Sequence, residues 1–142
     1  MRFTSIRIIT EDVSSLVAFY ERVTAKSAVW SNDDFAELRV ASGTLAFAST
    51  RTVGLFGPGA ARPRDNHSVI VEFLVDDVDR EYIRLSGWMT DFVNAPTTMP
   101  WGNRSLLFRD PDGNLINFFT PVSEDGIMKF HGQVGESQRV DD

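Results

Sequence analysis

Residues 106–119 read "LLFRDPDGNLINFF". Two apolar runs flank a turn in which Pro111 follows Asp110 and Gly113 closes the four residues, the pattern of a type I turn. The stretch therefore predicts two strands joined as a hairpin. One residue breaks the second strand's apolar character: Asn117 stands among Leu115, Ile116, Phe118 and Phe119. A lone amide in such a place is either a satisfied structural group or part of a site.

The hairpin is the end of a longer pattern. At the start of the chain, Ile6 and Ile8 alternate with Arg7 as in a strand. Val13, Leu16, Val17, Tyr20 and Val23 then fall at helical spacing, with Asp12 placed to cap the helix. Three short strand candidates follow, "AVW", "FAELRV" and "TLAFAS". The same order returns in "HSVIVEFLVDDVDREYIRLSG", a strand and a helix starting after Asp77, and then in "TDFV", "NRSLLFRD" and "NLINFF". Asp12-Val13 and Asp77-Val78 lie 65 residues apart, while Gly43 and Gly113 lie 70 apart. Two copies of one βαβββ module are the simplest reading. Module one covers about residues 3–50 and module two about 67–121, and the Gly-, Pro- and Arg-rich residues 51–66 form a linker. One domain over 1–122 is expected, followed by a polar tail over 123–142 in which Ile127, Met128 and Phe130 dock as a last helical turn ahead of His131.

Composition excludes several classes. The chain has 142 residues, 42% hydrophobic and 24% charged, enough for one domain with a core. A net charge of −6 and a pI of about 4.8 argue against a phosphate-backbone partner, so no nucleic acid is expected. The acidic balance suits a cationic ligand, and equally suits plain solubility. No apolar run reaches the roughly 20 residues of a membrane span, and the first residues lack signal-peptide order. With no cysteine there is no thiolate chemistry, and a cytoplasmic protein is expected.

The paired modules, the "DV" at each helix start, "AFYE" in the first helix and "WGNRSLLFRDPDGNLINFFTP" at the end resemble the vicinal oxygen chelate superfamily. That group includes glyoxalases, bleomycin resistance proteins, fosfomycin-resistance proteins and extradiol dioxygenases. The resemblance covers about residues 3–121. It implies an α+β fold in which two βαβββ modules form curled mixed β-sheets around a cleft, with helices outside. Because modules of this family commonly pair across chains, it also implies a homodimer with two clefts, with a closed monomer as the alternative. The scaffold hosts several chemistries, so it names no reaction.

Metal enzymes of the family hold a divalent ion with His, His or Gln, and Glu. The resemblance places those positions at Ser5, seven residues before Asp12, at Ile70, seven before Asp77, and at Asn117. Ser, Ile and Asn supply no charge and no imidazole, so no metal ligands and no cofactor are expected. His67 has the wrong strand parity to replace Ile70. Extradiol enzymes place a Tyr ten residues before the last ligand, where this chain has Leu107, so ring cleavage is not expected.

Strand parity nominates Ser5, Arg7, Ile9, Ile70, Glu72 and Leu74 to line the cleft, with Phe47 as the first-module counterpart of Asn117. The repeat pairs Arg7 with Glu72. They form either a buried ion pair or a working pair in which Arg7 clasps an anion while Glu72 acts as base or holds a cation. Trp30, Trp88 and Trp101 are placed to stack on a flat ligand or to pack a rim or dimer seam; Trp101 leads into the Asn117 hairpin. Phe19 and Tyr20 are expected to pack the first helix on its sheet. Three functions follow. The first is a protein without a metal that binds a small, partly aromatic molecule through Ser5, Arg7, Phe47, Ile70, Glu72, Trp101, Leu107 and Asn117. The second is a lyase- or isomerase-type enzyme with Glu72 and Arg7 as catalytic candidates, or a metal enzyme with non-standard ligands. The third is an interaction module.

Overall fold

The computed structural model describes residues 1–131, so the expected tail is seen only as far as His131, and residues 132–142 lie outside the described residues. The chain divides into two compact units. The first comprises residues 1–67 with 110–114, the second 68–109 with 115 onward.

In the first unit, β1 (Ser5–Thr10) leads into α1 (Val13–Thr24), then β2 (Val29–Asn32), β3 (Phe35–Val40) and β4 (Gly43–Ser49). The sheet order is β1-β4-β3-β2, with β1 parallel to β4 and the other pairs antiparallel. Asp12 begins α1 by accepting hydrogen bonds from the Ser15 amide at 3.0 Å and the Ser15 hydroxyl at 2.8 Å. This satisfies donors that a helix start leaves unpaired. Val13, Leu16, Val17, Tyr20 and Val23, the residues at helical spacing, are the buried ones, and the helix lies on β3 and β4. Residues Thr50–Leu55, all but the first within the expected linker, form a short 3-10 helix capped by Ser49.

The second unit repeats the design. It holds β5 (Ile70–Leu74), α2 (Val78–Ser86), β6 (Phe92–Thr98), β7 (Asn103–Arg109) and β8 (Leu115–Pro121), in the order β5-β8-β7-β6 with β5 parallel to β8. Under α2 runs a file of rings set edge to face: Tyr82, Phe92, Phe108, Phe118 and Phe73, with centroids 5.0–6.3 Å apart. Rings in this arrangement fill a core and also attract through their quadrupoles. The expected α+β fold of two βαβββ modules with mixed sheets is therefore the observed one. A last helix, α3 (Glu124–Lys129), follows, and Phe130 packs on Phe119 with centroids 5.3 Å apart. No helix among the described residues is long and apolar enough to cross a membrane.

β6 runs past the expected "TDFV" and includes Pro96. An edge strand tolerates proline because no neighbour needs its missing N–H. The ladder also shifts register between Asn94 and Thr97, where Pro96 falls.

The turn between β7 and β8 is more than a reversal. Gly113, at φ 85°, donates its N–H to the Asp110 carbonyl at 3.0 Å, which closes the turn. The buried Asp110 carboxylate accepts from the amides of Asp112 and Asn114, from the Asn114 side chain and from the Tyr20 hydroxyl of α1, all within 2.8–2.9 Å. Asn66 donates in turn to Asn114 at 3.1 Å. Four donors hold one buried carboxylate, as burial of a charge requires. Burial first, and then the neighbouring Asp110 charge, push the Tyr20 hydroxyl far above the usual phenol range.

Candidate functional site

Asn117 lies directly opposite Glu72 in the parallel β5–β8 pair and opposite Leu107 in the antiparallel β7–β8 pair. The row across this sheet reads Glu72, Asn117, Leu107 and Asn94. It belongs to the face away from the aromatic file, because strand side chains alternate. Ile70 and Leu74 share that face on β5, as do Leu115 and Phe119 on β8. The face is open: Ile70 is 46% exposed, and Glu72 is exposed as well.

The amide of Asn117 is not idle. Its Nδ2 donates to Glu72 Oε2 at 2.8 Å. The opposite orientation would set an amide oxygen against a carboxylate, so this bond fixes which end of the amide faces Glu72. Asn117 Oδ1 is then left buried, with no hydrogen-bond partner. An orphaned buried acceptor costs about 1–3 kcal/mol. The site is thus a carboxylate and an amide joined to each other, one acceptor unsatisfied, on an otherwise mostly apolar face.

Asn94, which no strand or helix pattern in the sequence singles out, supports the row through side-chain hydrogen bonds. In the irregular part of the β6–β7 ladder, its Oδ1 accepts from the Leu107 amide at 3.0 Å and its Nδ2 donates to the Ala95 carbonyl at 3.0 Å. A side chain there does the work of a missing ladder partner. The nearby Pro96 is the only sequence signal that regular pairing would fail at this point.

The first unit presents a different surface. The row equivalent to that of Asn117 reads Arg7, Ala46, Glu37 and Val29. Arg7's guanidinium lies over the rings of Phe35 and Phe56, 5.1 and 5.6 Å from their centroids. Glu37, also unanticipated, pairs with Arg39 at 2.9 Å. Arg7 and Glu72 therefore each have partners within their own unit. Ser5 is exposed at the start of β1.

Phe47 requires a correction. It is aligned with Ile8, not Arg7, and is fully buried with its ring 5.0 Å from that of Tyr20. The counterpart of Asn117 is Ala46, 71 residues earlier, because Arg7 pairs with Ala46 as Glu72 pairs with Asn117. The cause is turn length. Residues 40–43 separate the Arg39–Thr44 pair, whereas residues 110–114, one more, separate the equivalent Arg109–Leu115 pair. An offset of 70, taken from the turn glycines, is short by one residue, and a one-residue slip moves a side chain to the other face.

The tryptophans lie away from the row. Trp101 is 70% exposed on the turn before β7, whose first residue Asn103 lies roughly 14 Å along the strand from Leu107 at about 3.4 Å per residue. Trp30 sits on the edge strand β2, and Trp88 follows the end of α2. His67 is exposed ahead of β5.

These residues do not fit a divalent metal. Ile70 offers only carbon, and Ser5 a neutral hydroxyl. Asn117 turns its N–H groups, not its oxygen, toward Glu72, so the two side chains cannot close on one ion as arranged. Among the described residues, no three of His, Cys, Asp and Glu gather into a group that could hold one.

Duplicated βαβββ modules, each with a four-stranded mixed sheet, define a class of α+β proteins. Within it, the chain belongs to the glyoxalase/bleomycin resistance protein/dioxygenase superfamily, whose model matches residues 2–118. Among solved structures it is similar to a virulence protein of Salmonella typhimurium, at 25% identity and a TM-score of 0.68, covering 86% of this chain and 98% of that one. A glyoxalase/bleomycin resistance protein/dioxygenase from Nocardioides gives 21% and 0.73, with 87% and 85% covered. A lactoylglutathione lyase from Agrobacterium tumefaciens gives 18% and 0.65, with 84% and 92% covered. The last two identities carry the fold alone. No curated protein matches the chain.

Proposed function

We propose that this family member is a binding protein without a resident metal, which holds a small, partly aromatic organic molecule on the open sheet face of its second unit. The observation that carries this reading is the Glu72–Asn117 pair. A hydrogen-bonded polar couple with one unsatisfied acceptor, bordered by Ile70, Leu74 and Leu107, combines orienting groups with apolar surface, as small-molecule sites do. The reading also accounts for the absence of suitable metal donors at Ser5, Ile70 and Asn117.

The enzymatic alternative, with Glu72 as base and Arg7 as electrostatic partner, has less support. Glu72 is engaged by an amide and Arg7 by two rings, so neither is poised toward a shared reacting atom. Family resemblance extends the proposal to a cytoplasmic homodimer, whose mass light scattering would report.

The test is nuclear magnetic resonance on chelator-treated protein, titrated with a library of flat aromatic amines, amides, ketones and carboxylates. Saturable shifts of the Asn117 side-chain amide and the Leu107 methyl groups are expected for some members. A library that moves neither residue would overturn the proposal.

A further inference from the structure

The orphaned oxygen specifies the chemistry of the ligand's head group. Asn117 Oδ1 is an acceptor, buried and without a partner. Beside it in the next strand, the Glu72 carboxylate uses one oxygen to accept from Asn117 Nδ2 and keeps acceptor capacity for more. Two residues therefore offer acceptors, one of them charged, and of the two N–H donors on Asn117 Nδ2 one is already directed at Glu72. A ligand carboxylate or phosphate would meet like charge at Glu72. A ligand carbonyl would leave Oδ1 as unsatisfied as before. A cation with several N–H groups answers both needs, since its charge faces the carboxylate and its N–H groups supply the missing donors. Around the pair, Ile70, Leu74 and Leu107 present carbon to the ligand's body. The chain's net charge of −6 opposes an anion and favours a cation at longer range.

We infer that the Glu72–Asn117 pair recognises an organic cation bearing several N–H donors, of the amidinium or guanidinium class, attached to an apolar or aromatic body. This rests on the binding reading above and adds the head group to it.

The experiment compares three probes of similar size on the intact, chelator-treated chain: benzamidinium, acetophenone and benzoate. Binding is read from the Asn117 side-chain amide and Leu107 methyl resonances. Benzamidinium is expected to bind at least about tenfold more tightly than either other probe, the scale of one charge-assisted hydrogen bond. Glu72→Gln, which can still accept from Asn117, should remove that advantage and leave acetophenone unchanged. Asn117→Leu should remove it too. If acetophenone or benzoate shifts these residues as strongly as benzamidinium, the cationic head group is wrong while the binding face stands. If benzamidinium binds Glu72→Gln undiminished, general attraction to an acidic surface explains it, and the inference fails. If neither these probes nor the wider library moves Asn117 or Leu107, the binding face itself is refuted.

Discussion

Tyr20 and Asn117 show what a single polar atom does in an otherwise apolar setting. Tyr20 has its hydroxyl bonded to a buried carboxylate, and Asn117 has its amide bonded to an exposed one. Only the first arrangement is complete. Tyr20→Phe keeps the ring packed on Phe47 but leaves Asp110 one donor short. Denaturant unfolding should show a loss of about 1.5–3 kcal/mol, the range for hydrogen bonds to charged groups. No loss would mean that the amides of the turn alone satisfy Asp110. At Asn117 the sequence showed a polar residue in an apolar strand but not its partner, since hydrogen bonding to Glu72 depends on a parallel register joining residues 45 positions apart. Phe47 shows the opposite failure. Its type and spacing were plain, yet its own register, opposite Ile8, puts it in the core, and the extra residue in the Asp110–Asn114 turn makes Ala46 the counterpart of Asn117.

Helices and turns were the most legible elements because their signals are local. Asp12 and Asp77 each cap a helix where apolar spacing begins. The irregular β6 and the position of Phe56 over Arg7 were not legible, the first because a bulge interrupts the period and the second because the linker has none. The turn into β7 carries its own constraint. Gly102 adopts φ 91°, and a Cβ there would lie 2.2 Å from Ser123 Oγ, which caps α3 by accepting from the Gly126 amide. Gly102→Ala therefore meets both backbone strain of about 1–3 kcal/mol and a clash with the cap. A lower melting temperature is expected. Adding Ser123→Ala should cost less than the two single losses together, because the closer overlap, with Oγ, is gone while that with the Ser123 Cβ at 2.7 Å remains. Strict additivity would mean that the contact does not matter.

For the molecule as a whole, charge sets how stability varies with acidity. Asp12, Asp34 and Asp79 all have lowered pKa values: the first through hydrogen bonds from Ser15, the second through Arg51 and Ser49, the third through Arg104, which meets Asp79 at 2.8 and 3.0 Å. A carboxyl whose pKa is lower folded than unfolded contributes stability above the unfolded value, about 4, and loses it as pH falls through the folded value. Unfolding free energy should thus decline as pH drops below about 4, and Asp79→Asn should flatten the decline slightly, since exposed pairs contribute little. An unchanged slope would mean that the Asp79–Arg104 pair adds nothing to stability.

This chain keeps the superfamily's fold, and the proposed binding function requires that the Glu72–Asn117 pair, only one member of which stands at a family metal position, works without a metal. Elemental analysis tests that claim most directly. Protein purified without an immobilised metal would be chelated, incubated separately with manganese, iron, cobalt, nickel and zinc, and desalted. Metal content at the chelated baseline for all five is the predicted result. One equivalent of any of them retained per chain, and lost in Glu72→Gln, would show that Glu72 belongs to a metal site and would contradict the claim.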